Sequence, residues 1–218
     1  MTHERLKARQ RVERQGYPPN LGLRVHRALS WLGRAEQLAD DVDAQFIFLW
    51  IAFNAAYATE IDEKYRLSEQ ATFRAFLQKL VELDSTRGRI GDLVWREFTG
   101  SIRVLLGNPF VFAEFWQSHN GVLAPQEWKS RFAEANRAAQ AALARQDTVS
   151  VLGIVLSRIY TLRNQLMHGG ATWNSAVNRD QLRDCAHFMG KLVPLVIEIM
   201  MDHPGALWGD ACYPVVGA

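Results

Sequence analysis

Arg163, Asn164 and His168 stand together in the stretch Arg163-Asn164-Gln165-Leu166-Met167-His168, and their types suit chemistry at phosphorus. Histidine is the side chain that ordinarily titrates near neutrality, so it can take or give a proton in water. Arginine keeps its charge and offers a planar fork of donors that matches phosphate oxygens. One group can move protons while the other neutralises charge developing on a phosphoryl group, and no metal is required. For RNA, His168 would assist attack of a 2′-hydroxyl on the adjacent phosphate, or protonate the leaving oxygen. Arg163 would hold the phosphate and Asn164 would orient it.

A helix has to position these side chains. Arg163 and His168 lie roughly 140° apart round an ideal helix, at about 100° per residue, and do not share a face. Asn164 and His168, one turn apart, do. Leu162 and Leu166 belong to the opposite, core-facing stripe, so the Asn-His edge flanks a buried seam and Arg163 must curl its long stem round to reach it. Gly169-Gly170 supplies a stop signal, which puts His168 in the last turn beside carbonyls that lack helical partners. An arginine at this spacing from a histidine is common by chance, so the context carries the weight.

The supporting elements are all helical. Residues 1–15 are helix-permissive and charged, and Gly16-Tyr17-Pro18-Pro19 stops them, giving an arm or a short first helix. Val25, Ala28, Leu29, Leu32 and Ala35 form one face of a helix over 24–39. The next, 44–60, is apolar almost all round (Phe46, Ile47, Phe48, Leu49, Trp50, Ile51, Ala52, Phe53) and belongs at the centre of a bundle or in a subunit interface. Asn54 interrupts it, either as a hydrogen-bonder in the core or as a group facing a functional cleft. Further helices are expected over 68–83, with Ser68 as a cap, and over 91–106, with Leu93, Val94, Phe98, Ile102 and Leu105 on a stripe. One or two more follow in 110–145, where Pro125 opens a run. The last are 148 to about 168, with Leu152, Val155, Ile159, Leu162 and Leu166 inward, and 180–202. The tail after Pro204 has no period and is expected to pack irregularly on the surface. No two-residue alternation suggests a sheet. The fold class is all-α: a helical bundle with additional peripheral helices.

A length of 218 residues with 48% hydrophobic content suits one domain with its own core. The organisation read from the chain is a basic arm over 1–23, a helical domain over 24–202 and an irregular tail over 203–218. A net charge of +2 is not that of a dedicated DNA-binding protein. The arm, with Arg5, Lys7, Arg9, Arg11 and Arg14, is locally basic and reads first as a solvated helix, with phosphate contact as the alternative. Cys185 and Cys212 are too few for a disulfide framework and lack zinc-site spacing, and His26, His119, His187 and His203 show no ligand pattern. No metal or cofactor is expected. A charged N-terminus and the absence of a long apolar run point to a cytoplasmic protein with no membrane partner. Nucleophile motifs, phosphate-binding glycine loops and dinucleotide fingerprints are missing, which removes support for kinases, dehydrogenases and serine or cysteine hydrolases.

The stretch Leu162-Arg163-Asn164-Gln165-Leu166-Met167-His168-Gly169-Gly170 resembles the arginine, four to six residues, histidine signature of HEPN domains, which favour a polar residue directly after the arginine. The stretch from Phe46 to Tyr57 is similar to the apolar second core helix of many such proteins. The resemblance implies one elaborated HEPN domain over about 24–202 and a metal-independent ribonuclease of toxin–antitoxin, phage-defence or RNA-processing type. It further implies a homodimer in which two copies of the motif meet in one cleft, and possible control by an antitoxin or regulatory protein. Arg163 and His168 would then be the catalytic pair and Asn164 the auxiliary. HEPN toxins modified by a nucleotidyltransferase antitoxin commonly carry a tyrosine two residues after the histidine, where this chain has Gly170.

Among residues near the motif, Arg179 and Arg183 read as solvated positions at the start of a helix, or as the rim of an RNA-binding surface. Trp173 reads as a packing residue, with base stacking on single-stranded RNA as the alternative. The competing function, also known among HEPN proteins, is a non-catalytic module that binds RNA, a nucleotide or a partner protein.

Overall fold

The structure, a computed structural model, describes residues 2–57 and 69–211. These residues are all-α, with ten α-helices and no strand among them. They form two compact units, Met1–Arg87 with Ala186–Ala218, and Gly88–Cys185.

The first unit contains α1 (Thr2–Glu13), α2 (Pro19–Glu36), α3 (Val42–Tyr57), α4 (Glu69–Leu83) and the later part of α10 (Arg179–Asp202). Helix α2 begins earlier than its apolar period implied because Pro19 occupies the first turn, where its missing amide costs nothing and its φ is already helical. Leu21, Val25, Ala28, Leu29, Leu32 and Ala35 are buried. No residue of α3 is fully exposed, as expected of a helix without a polar face. Asn54 lies half-buried within it. The expected cap Ser68 lies outside the described residues, as do Cys212 and the end of the tail.

The basic arm is a packed helix. Leu6 is buried, and Arg5 pairs with Glu198 at 3.0 Å. Arg9 pairs with Asp202 at 2.7 Å and with Glu13 at 2.8 Å, while Arg87 reaches Asp202 at 3.0 Å. Carboxylates of the same unit therefore take up two of the arm's arginines. The tail is irregular as expected, but it is also tied into the core. Arg24, completely buried, donates to the carbonyls of Ala56 at 2.8 Å, Gly209 at 3.3 Å and Asp210 at 2.5 Å. Trp208 is buried and donates to the His203 carbonyl at 3.0 Å. A buried guanidinium needs acceptors, and an irregular segment has carbonyls to spare.

The second unit holds α5 (Arg89–Asp92), a π turn over Leu93–Glu97, α6 (Thr99–Gly107), a 3-10 turn over Pro109–Val111, α7 (Ala113–His119), α8 (Pro125–Ala144), α9 (Thr148–Met167) and the first turns of α10. The helix expected over 91–106 is broken by the π turn, in which the Phe98 amide donates to the Leu93 carbonyl at 3.1 Å. The steps from Val94 to Phe98 to Ile102 would drift roughly 40° each on a regular helix, and a wider turn absorbs the drift. All five stripe residues are buried.

Helices α8 and α9 are joined by Arg145, Gln146 and Asp147 alone. The Gln146 amide donates to the Leu143 carbonyl at 3.1 Å and that of Asp147 to the Ala142 carbonyl at 3.0 Å, the paired bonds of a Schellman ending. Asp147 then caps α9, accepting from the Ser150 amide at 3.0 Å and the Ser150 hydroxyl at 2.6 Å. The left-handed position falls on Gln146, at φ 53, which penalises any residue with a Cβ. Gln146→Gly should raise stability by about 0.5–1 kcal/mol and Asp147→Ala should lower it by about 1 kcal/mol in urea unfolding. A loss on Gln146→Gly would contradict this description of the turn.

Candidate functional site

Helix α9 is anchored by Val151, Leu152, Val155, Leu156, Ile159 and Leu162, all buried, while Leu166 is half-buried. The helix ends where the glycine pair requires. His168 is the C-cap, its amide donating to the Asn164 carbonyl at 3.0 Å. The Gly170 amide donates to the Gln165 carbonyl at 2.7 Å and the Gly169 amide to that of Leu166 at 3.3 Å, a second Schellman ending. Gly169 lies at φ 71, and a Cβ on Gly170 would stand 3.1 Å from the Gln165 carbonyl oxygen. Both glycines thus have a backbone reason to be glycine.

On this frame the Arg163 guanidinium curls toward its neighbour, Nη1 donating to Asn164 Oδ1 at 2.9 Å. Arg163 and Asn164 are half-buried and His168 is exposed. The bond ties one edge of the guanidinium to Asn164 and leaves further donors of its fork for a ligand. The pair can hold a phosphate, and the imidazole beyond it is open to a substrate.

Residues that the sequence reading passed over hold this end of α9 in place. Gln165 Nε2 donates to the Phe110 carbonyl at 2.5 Å, and Trp116 Nε1 donates to the same oxygen at 2.8 Å. Asn108 accepts from the Phe110 amide at 2.9 Å and donates from Nδ2 to Gln181 Oε1 at 3.2 Å, which links the 3-10 turn to the start of α10. The Asn-Pro pair at 108–109 is a sequence signal for that capped turn. Nothing in the sequence singles out Gln165 or Gln181.

The reading of Trp173 as a packing residue does not hold, since it is 74% exposed. It lies in a turn with Asn174 at φ 54 rather than on a helix face, so helical packing does not recruit it. Val177 is exposed in the same connection, as is Met167 at the end of α9. Arg179 is half-buried, its Nε donating to the Ser175 carbonyl at 2.8 Å. Arg183 is exposed and pairs with the exposed Asp180 at 3.2 Å, an interaction that solvent weakens. Cys185 is buried, and its desolvation pushes the thiol up to about 12, which removes it as a nucleophile at neutral pH. Among the described residues no group of three histidine, cysteine or acidic side chains is arranged to hold a metal ion, and no helix is long and apolar enough to cross a membrane.

No protein-family model, curated protein or solved structure matches the chain. The Schellman ending is therefore open to test only on its own terms. Gly169→Ala should cost about 1–2 kcal/mol in urea unfolding, because alanine resists the left-handed conformation. A neutral effect would mean that α9 does not end at His168.

Proposed function

We propose that the chain is a metal-independent endoribonuclease of HEPN type, acting as a homodimer. The observation that carries the reading is the Arg163–Asn164 bond at 2.9 Å one turn before an exposed, helix-terminal His168. This bond supplies what the spacing alone lacks, a route by which the arginine reaches the histidine's edge of the helix.

In the reaction, His168 takes the proton of a 2′-hydroxyl as that oxygen attacks the neighbouring phosphorus. A P–O2′ bond forms, the P–O5′ bond breaks, and the leaving oxygen gains a proton. The products are a 2′,3′-cyclic phosphate and a 5′-hydroxyl. Arg163 offsets the charge that builds on the non-bridging oxygens, and Asn164 holds the guanidinium in register. One histidine cannot serve as base and acid in the same instant. A second copy related by a two-fold axis would bring a second His168 to the leaving oxygen, which is the chemical reason to favour a dimer. Trp173, Arg179 and Arg183 would line the approach, the indole as a stacking surface and the guanidinium groups as backbone contacts. An antitoxin or regulatory protein fits this reading as the means of control, within a toxin or defence role. Gly170 offers no hydroxyl for modification, so such control would act by another route.

In EDTA, the purified protein should cleave single-stranded RNA and leave 2′,3′-cyclic phosphate ends. His168→Ala and Arg163→Ala should each reduce the rate by about 10²–10⁴ while keeping the native circular dichroism spectrum and urea midpoint. Cleavage at the native rate by His168→Ala would overturn the assignment. RNA binding without cleavage by the native chain would favour a non-catalytic helical module.

A further inference from the structure

One charged side chain of the second unit is buried without the partners that burial demands. Arg158, in the middle of α9, is only 4% exposed. Its guanidinium carbon lies 4.3 Å from the centroid of the Phe112 ring and 5.6 Å from that of Phe132. Aromatic faces stabilise a cation, but they leave the five N–H donors of a guanidinium without conventional acceptors. Among the described residues Arg158 donates no hydrogen bond, and its Nε is also sealed from solvent. Arg24 shows the usual solution to the same problem, with three backbone carbonyls gathered round its fork.

The carboxylate that bears on Arg158 is Glu114, in the first turn of α7. It acts through space and closes no ion pair with the guanidinium. Desolvation outweighs it and pushes the Arg158 pKa down to about 10. The cation thus sits in an environment that disfavours its charge, against two aromatic rings and without protein acceptors for its donors. Oxygen atoms of a bound anion would supply what is missing, and a planar fork takes two of them at once.

We propose that Arg158 is the core of an oxyanion-binding site for a phosphate or carboxylate, with Phe112 and Phe132 holding the guanidinium plane in place. The site is separate from the Arg163–Asn164 pair, since Arg158 lies roughly 140° round α9 from Arg163, and it does not depend on the ribonuclease reading. Glu114 competes with the anion and keeps its affinity moderate.

The test is a thermal-unfolding series at fixed ionic strength and pH, in which inorganic phosphate, or in a second arm acetate, replaces chloride. The native protein should show a saturable rise in Tm in at least one arm. Arg163→Ala, which removes the pair at the end of α9, should keep that rise; in that background Arg158→Met should lose it, and Glu114→Gln should reach half-saturation at a several-fold lower anion concentration. In chloride alone, Arg158→Met should melt no lower than the native chain, because an uncompensated buried charge has been removed. The proposal is overturned by no saturable rise in either arm, by a rise that disappears in Arg163→Ala, or by one that survives Arg158→Met in the Arg163→Ala background. Should Arg158→Met fail to fold, Glu114→Gln decides: tighter half-saturation supports the site, and unchanged or weaker half-saturation overturns it.

Discussion

Helix α9 has to stop at His168, and the geometry of the candidate site follows from how it stops. With the Gly169 amide turned onto Leu166 and that of Gly170 onto Gln165, the last turn is closed by its own backbone. His168 is therefore held at the cap and exposed at the surface. The same closure leaves Asn164 one turn upstream on the histidine's side, where it receives the Arg163 guanidinium. Had the helix continued, the connection bearing Trp173 and Val177 would begin elsewhere and the polar edge would lose its open end. Gln165 adds a tertiary restraint, since its amide is fastened to the Phe110 carbonyl that Trp116 also holds. A catalytic group at a helix end is useful only if that end does not fray, and these bonds oppose fraying.

A second constraint runs through both units: a buried guanidinium must find acceptors or do without them. Arg24 finds them in the Ala56 carbonyl of α3 and in two carbonyls of the irregular tail, and the tail is pinned as a result. Arg158 meets the rings of Phe112 and Phe132 instead. The first is an arginine used to build the fold. The second is an arginine whose donors are still available, which is why a ligand is the natural completion there. Removal of either side chain tests more than charge, because each also fills space in its unit.

Much of the framework was legible in the sequence, for reasons that can be named. The glycine pair after His168 marked the end of α9, Pro125 marked the start of α8, and the unbroken apolar run in α3 marked a helix with no exposed residue. These signals are local, acting through backbone freedom, proline geometry or solvent avoidance. The π turn between α5 and α6 was not legible, because a scan for helical period treats drift of the apolar face as noise. The bonds from Gln165 to Phe110 and from Asn108 to Gln181 join residues far apart in the chain, and no single-residue signal marks them. Trp173 was misjudged because aromatic residues are usually buried, while its place in a turn leaves it outside any helix face. Arg158 did leave a trace: it falls on the same face as Val151, Val155 and Leu162, where an apolar residue is expected. A charge on an apolar stripe is the kind of local conflict that marks a site.

The central claim is that RNA is held at the end of α9. The most direct measurement is an NMR titration of the histidine and tryptophan ring signals with a 2′-O-methyl oligoribonucleotide, which binds but cannot supply the attacking hydroxyl. The account predicts saturable shifts of the His168 imidazole and the Trp173 indole, with His26 and His203 unmoved. Saturable binding that shifts the other rings and leaves His168 and Trp173 where they were would contradict it.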